Sequence, residues 1–288
     1  MTPEHVERAV ANLESFGLRV RLGDNIHLRR GNYAGTPFQQ AQDFHAMVRD
    51  REVRAIWCGR GGSGGSLMLP LLDYRLIRAN PKVIIGFSDF TAVLLAVTRL
   101  AGMVTFHGPV GISSFSEYST AHLRAVLMEP RGGHVIAAAP DARTQPDEET
   151  MVPGVATGPL MGGNLSVLSA LVGTPYAARL RGAIAFLEDV DEAPYRINRM
   201  LTQLVQSGEL GAAAGIMFGT CAHCVVGDDG PTLTLEETLR DRLEPLKKPA
   251  AIGLSFGHVA KHFTIPLGVR ARLDASARTL TLLEPAVR

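Results

Sequence analysis

Pro81-Lys82-Val83-Ile84-Ile85-Gly86-Phe87-Ser88-Asp89-Phe90-Thr91-Ala92 is the stretch on which the reading of the chain turns. Val83, Ile84 and Ile85 form an uninterrupted β-branched run, the pattern of a strand buried on both faces, and Thr91 to Leu100 reads as an apolar helix. Between them stand Gly86, Phe87, Ser88 and Asp89. A sharp turn of this kind lifts the Ser88 hydroxyl above the carboxyl end of a sheet, with free N–H groups of the helix start pointing toward it. That is a place for a nucleophile. The competing reading is a plain helix cap, because Ser and Asp are both favoured at that position.

Outward from this turn, strand and helix alternate. Val53 to Cys58 is a second buried strand, running into Gly59-Arg60-Gly61-Gly62-Ser63-Gly64-Gly65-Ser66 and then a helix from Leu67 to Leu72. A glycine-rich loop in that position brings backbone N–H groups close to an anion. It matches neither phosphate-binding fingerprint, so it reads better as a donor loop for an oxyanion than as a nucleotide site. Gly102 to Pro109 is a third strand and carries His107, a candidate site residue or a packed histidine. Ahead of these lie a helix over residues 3–16, an alternating strand from Leu18 to Leu22, and a helix from Phe38 to Arg49 with Phe38, Ala41, Phe44 and Val48 on one face. No strand precedes the first helix, where a parallel α/β domain usually opens with one, so the chain is expected to start late. The first half, residues 1–130, is predicted to be a mostly parallel α/β domain of flavodoxin or Rossmann type.

From about Arg131 to Gly154 the sequence loses periodicity and reads as a linker. Residues 155–288 then hold short strands at Ala183 to Leu187, Ile216 to Phe218 and Ala251 to Gly253, a helix from Tyr195 to Leu204, and an alternating hairpin over 267–284. This half is predicted to be a smaller, mixed, β-rich domain. The active site is expected at the interface of the two.

A formal net charge of +1 over 288 residues gives no electrostatic case for nucleic acid or an anionic membrane as partner. No apolar run approaches the roughly 18 to 20 residues that span a bilayer, and Met1 to Arg8 has no signal-peptide character. Three cysteines are too few for a disulfide framework, which agrees with a reducing compartment, so a cytoplasmic protein is expected. Cys221-Ala-His-Cys224 has C-x-x-C spacing but follows an apolar strand and has no second ligand pair, so it reads as strand-end packing and neither a metal nor a cofactor is predicted.

A hydroxyl needs a base, and the base needs an orienting group. His258 follows a short strand and a glycine, and Glu188 closes an apolar strand, where a carboxylate is partly desolvated. Each also has a bland reading: Glu188 paired with Arg196 or Arg199, His258 structural, and His262 a rival base.

Arg60-Gly61-Gly62, Leu71-Leu72-Asp73-Tyr74, the 81–92 stretch, Thr105-Phe106-His107-Gly108-Pro109, Gly162-Gly163-Asn164-Leu165-Ser166, Gly173-Thr174-Pro175-Tyr176, Phe186-Leu187-Glu188-Asp189, Tyr195-Arg196-Ile197 with Arg199 to Leu204, and Gly257-His258 together resemble the LD-carboxypeptidase family of serine peptidases. That family includes muropeptide LD-carboxypeptidases and microcin-C self-immunity peptidases. The resemblance implies a triad of Ser88 as nucleophile, His258 as general base and acid, and Glu188 fixing the imidazole, with Glu192 the second choice for that third role. It implies an oxyanion hole from the backbone N–H groups of Asp89 and Gly62. It further implies hydrolysis of the L,D-bond before the terminal D-Ala of murein tetrapeptides in peptidoglycan recycling, no metal or cofactor, and a homodimer. Action on peptidyl or aminoacyl adenylates, or a non-catalytic muropeptide-binding role, are the alternatives. The chain departs from the family pattern at Ser63 in place of Tyr, Leu67 in place of Arg, Asn198 in place of Asp, Pro37 in place of an acidic residue, and the missing opening strand with its Ala-Pro-Ser turn. The first two bear on the substrate pocket.

Overall fold

The computed structural model describes residues 1–137, 139, 146–147, 149–226 and 232–287. In chain order the helices are α1 (Pro3–Glu14), α2 (Pro37–Arg49), α3 (Gly65–Met68), α4 (Tyr74–Ala79), α5 (Thr91–Ala101), α6 (Glu117–Leu127), α7 (Leu165–Ala170), α8 (Pro194–Gln206) and α9 (Leu235–Leu243). The strands are β1 (Ala55–Trp57), β2 (Val83–Gly86), β3 (Thr105–His107), β4 (Val135–Ala137), β5 (Glu149–Val152), β6 (Val155–Asn164), β7 (Ile184–Val190), β8 (Gly215–Ala222), β9 (Ala250–Ile252), β10 (Ile265–Leu267), β11 (Arg270–Asp274) and β12 (Thr279–Leu282).

Two sheets result. The first has the order β1-β2-β3-β10, its first three strands parallel and β10 antiparallel on β3. Ile84 and Ile85 are wholly buried, as a β-branched strand covered on both faces requires. The helix α5 that follows packs most of its length into the same core, from Thr91 through Val97. The second sheet has the order β4-β12-β11-β6-β7-β8-β9-β5. Its centre, β6 through β9, is parallel, and the β11–β12 hairpin is antiparallel as its alternating sequence predicts. The mixed α/β architecture with two units is therefore the one the sequence pattern implies.

Several local expectations are corrected. Leu18 to Leu22 alternates in sequence but forms no strand, and among the described residues no backbone hydrogen bond pairs it with one. The 131–154 segment is not only a connection: β4 and β5 become the two outermost strands of the second sheet, on opposite edges, and residues 138, 140–145 and 148 lie outside the described part. Phe38 stands 61% exposed at the first turn of α2, while Ala41, Phe44 and Val48 are buried as predicted. The Leu67 to Leu72 helix is two short pieces, α3 and a 3-10 turn at Leu69–Leu71. No helix among the described residues is long and apolar enough to cross a membrane.

The strand β10 was not visible as a member of the first sheet. It leaves the second sheet after β9, passes through the loop that carries His258, and seals the open edge of β3 with Ile265 opposite His107. Ile265 is completely buried. Ile265→Ala should therefore cost about 2 to 5 kcal/mol in urea denaturation; a loss below about 1 kcal/mol would mean the strand does not close that sheet.

Candidate active site

The turn after β2 is strained where the hydroxyl sits. Ser88 has φ of 62°, the left-handed region that a non-glycine residue adopts only at a cost of about 1 to 3 kcal/mol. Phe87 before it is extended, and Ser88–Phe90 form a 3-10 turn that runs into α5. Neither Ser88 nor Asp89 caps α5, whose N-cap position is Phe90 with no side-chain bond. The cap reading therefore fails, and the Ser88 hydroxyl is left for other partners.

Its partner is His258. The imidazole Nε2 lies 3.1 Å from Ser88 Oγ, and Nδ1 lies 2.8 Å from Glu188 Oε2. Ser88 follows strand β2 of the first sheet, whereas Glu188 lies in β7 of the second. His258 comes from the loop between β9 and β10, which joins the two sheets. The Phe87 ring packs edge-on against His258 with centroids 4.8 Å apart. Thr220 of β8 holds the loop from below, its backbone N–H and Oγ1 both donating to the Phe256 carbonyl at 3.0 and 2.9 Å.

Gly257 makes the approach possible. Its φ is 106°, and a Cβ there would stand 2.7 Å from Glu188 Oε2 and 2.8 Å from Thr220 Oγ1. The glycine before the histidine is a requirement of the carboxylate–imidazole contact, and no motif reading assigned it that role.

The electrostatics favour a protonatable ring. Burial pushes the His258 imidazole down, but the Glu188 hydrogen bond and charge, with Asp189 and Asp191 behind them, outweigh it and move the net value up. Glu188 is wholly buried, and that burial raises its carboxyl against the stabilising contact from His258. His262, the rival base, is buried against Phe87 and His107 and pushed down to about 3 by desolvation and by His258. His107 is likewise buried, held well below its ordinary value by desolvation, and has no hydrogen-bond partner on either ring nitrogen among the described residues. Cys58, close by at the end of β1, has its thiol pushed up to about 12 by burial and by Asp89, so it is no competing nucleophile.

The glycine-rich loop lies against the hydroxyl. The Asp89 carboxylate accepts the Gly65 N–H at 2.7 Å and so ties the loop to the Ser88 turn. A Cβ on Gly61 would come within 2.9 Å of Ser88 Cβ and 3.0 Å of its Oγ. Gly62 follows with φ of 153° and open space around its missing side chain. Ser63 receives a hydrogen bond from Asn32 at 2.9 Å, and Leu67 is 51% exposed.

Glu188 pairs with neither Arg196 nor Arg199. Glu192, four residues on, faces Arg196 rather than the imidazole, with 3.6 Å between the nearest charged atoms. Asp189, which sequence reasoning passed over, is buried and accepts from Asn164 Nδ2, the Ser166 N–H, Ser166 Oγ and the Val190 N–H at 2.7 to 3.0 Å. Its adjacency to Glu188 at a strand end was the available signal. Cys221 and Cys224 are both buried at the end of β8, as strand-end packing predicts, but they are also bonded to each other. His223 with φ of 59° turns the chain back and brings their Cα atoms to 5.4 Å, within disulfide reach. Among the described residues no cluster of three or more His, Cys, Asp or Glu side chains is arranged to hold a metal ion.

A strained serine, an imidazole and a buried carboxylate in hydrogen-bonded series are the working parts of a serine hydrolase. The models of the LD-carboxypeptidase N-terminal and C-terminal domains match residues 1–108 and 157–273. The chain belongs to the LD-carboxypeptidase family and is a serine-type carboxypeptidase. A Bacillus subtilis protein named "Probable murein peptide carboxypeptidase" is 34% identical over 285 residues, 97% of this chain and 87% of the relative. The microcin C7 self-immunity protein of Escherichia coli is 27% identical over 276 residues, 87% of this chain and 80% of that one. The crystal structure of muramoyltetrapeptide carboxypeptidase from Oxalobacter formigenes superposes with a TM-score of 0.85 at 27% identity, over 99% of this chain and 96% of that one.

Three outcomes follow from the geometry. A protonated ring cannot accept the serine proton, and the His258 value lies above the ordinary 6.5, so kcat/KM should be full at alkaline pH and fall as pH drops through a value above 6.5. Glu188→Gln removes the upward pull, so the acid limb should move to lower pH while kcat falls; an unmoved limb would show that Glu188 does not act on the ring. Gly257→Ala should lower kcat on the order of 100-fold, the scale of a small displacement of a catalytic group, with little change in KM.

Proposed function

We propose that the protein hydrolyses the L,D-peptide bond before the terminal D-Ala of murein tetrapeptides, in the cytoplasm, as part of peptidoglycan recycling. The observation that carries this reading is the Ser88–His258–Glu188 series, 3.1 and 2.8 Å long, in a chain similar to proteins named murein peptide and muramoyltetrapeptide carboxypeptidases.

In this mechanism Ser88 Oγ attacks the carbonyl carbon of the diamino acid while His258 Nε2 takes the hydroxyl proton. Glu188 steadies the imidazolium through Nδ1. Negative charge develops on the carbonyl oxygen and is met by the backbone N–H groups of Asp89 and Gly62, each donor worth about 3 to 4 kcal/mol of barrier at a pre-organised site. Collapse breaks the C–N bond, and His258 returns its proton to the departing D-Ala nitrogen. Water, deprotonated by the same ring, then cleaves the acyl-enzyme and restores the Ser88 hydroxyl.

A second reading has the support of the microcin self-immunity relative at 27% identity: the same acyl chemistry directed at a peptidyl or aminoacyl adenylate. Mass spectrometry of parallel incubations with a murein tetrapeptide and with an aminoacyl sulfamoyl adenosine separates the two. Loss of one alanine from the tetrapeptide is the expected result, and turnover of the adenylate analogue alone would replace the first reading with the second. Ser88→Ala should lower tetrapeptide turnover on the order of 10,000-fold or more at unchanged circular dichroism; full activity in that variant would end both.

A further inference from the structure

Four carboxylates, Glu188, Asp189, Asp191 and Glu192, stand at or just beyond the end of β7, and Glu192 is the one whose nearest donors are all at 3.5 Å or more. Glu192 lies in the turn between β7 and α8, with its side chain 21% exposed. Its Oε2 is buried and has no hydrogen-bond donor among the described residues. The other oxygen, Oε1, is 3.5 Å from Ser166 Oγ, but that hydroxyl has a single proton and directs it at Asp189 Oδ2 at 2.7 Å. The nearest cation, Arg196 Nη1, is 3.6 Å from Oε2, inside Coulomb range and outside hydrogen-bond range. Arg196 is itself 56% exposed, and its Nε donates to Tyr195 Oη at 3.1 Å. A carboxylate left without a donor in a half-dry turn is costly to keep, and a ligand donor removes that cost.

The pair lies on the rim that carries the chemistry. Glu192 is four residues from Glu188, and Ser166 is two residues from Asn164, whose register partner is Glu188. The Asn164 N–H in turn donates to Thr91 Oγ1 at 3.1 Å, at the start of α5 and three residues beyond Ser88. An arriving substrate acylated at Ser88 would therefore carry its side chains past this edge.

We propose that Glu192 and Arg196 form a subsite for the zwitterionic end of the substrate's diamino acid, an inference that rests on the tetrapeptide reading above. The free ammonium at the far end of the side chain donates to the exposed part of the Glu192 carboxylate, whose Oε1 has only the long Ser166 contact at 3.5 Å. The carboxylate on the same carbon lies on the Arg196 guanidinium, which is spread beside the Tyr195 ring at 5.8 Å. Two opposite charges on one carbon match an acceptor and a cation held 3.6 Å apart. The same carboxylate repels a phosphate group, which sets this rim against adenylate-type ligands.

The test compares kcat/KM for three tetrapeptides that differ only at the third residue: a diamino diacid, its distal carboxamide, and L-lysine. A fourth carries an acetylated distal amine. The wild-type enzyme should prefer the diacid over the carboxamide, lysine and acetylated peptides by about tenfold or more, because a site built for a polar group rejects analogues that leave it unpaired. In Glu192→Gln the advantage of the free amine over the acetylated one should fall toward one, mainly through KM. In Arg196→Gln the advantage of acid over carboxamide should do the same. Wild-type enzyme that cleaves all four equally, or variants that keep the wild-type ratios, would overturn the subsite while leaving the carboxypeptidase reading in place. Failure of the wild-type enzyme to cleave any of the four would overturn the tetrapeptide reading, and the subsite with it.

Discussion

The contact between Glu188 and His258 sets the terms for everything around it. A carboxylate with no exposure at the end of a buried strand is unfavourable unless a donor reaches it, and the donor here is the Nδ1 side of one imidazole at 2.8 Å. That donor arrives only if the chain before it has no side chain, hence Gly257, and only if the loop is held at its base, hence the paired Thr220 bonds to the Phe256 carbonyl. The orientation this imposes turns Nε2 outward to Ser88. The tautomer that donates from Nδ1 to Glu188 leaves Nε2 an acceptor, so one buried contact prepares the ring for the proton it is proposed to receive.

The two sheets are kept in register with each other by the same loop. His258 leaves β9 in the second sheet and, seven residues later, the chain enters β10 against β3 in the first. Ser88 follows β2, the strand beside β3, and the Gly108 N–H bonds the Gly86 carbonyl at 3.0 Å to lock that pair. Ser88 and His258 are therefore fixed through strand pairing on both sides rather than through a hinge. The direct link from Asn164 to Thr91 adds a second tie between the units, close to the reacting groups.

What could be read in the sequence divides along a physical line. The Val83–Ile85 run, the Gly86–Asp89 turn and the apolar helix after it are local patterns, and local sterics decide them. The endings of β7 and β9 were legible for the same reason, and so Glu188 and His258 could be singled out, though their meeting could not. The membership of β10 was hidden because a three-residue strand pairing across 158 positions leaves no periodic trace. In the same way β4 and β5 are short edge strands in Gly- and Pro-rich surroundings, and edge position rather than composition makes them strands. Leu18 to Leu22 is the reverse case, alternation without a partner. The choice among three histidines also required coordinates, since burial, not sequence neighbourhood, silences His107 and His262.

The acidic cluster at the end of β7 is sorted by hydrogen-bond supply. Asp189 has four donors, from Asn164, Ser166 and Val190, and with its capacity filled it can only hold backbone and side chains in place. Glu188 has one ionisable donor, and a carboxylate so paired governs the charge of its partner. Glu192 has Ser166 only at 3.5 Å, behind Asp189 in the competition for its proton, and so retains capacity for a group from outside. Glu188, Asp189 and Glu192, three of the four acids between residues 188 and 192, thus take different positions on one scale of hydrogen-bond supply, and that scale, rather than their identity as acids, separates the strut from the proposed catalytic partner and both from the proposed binding group.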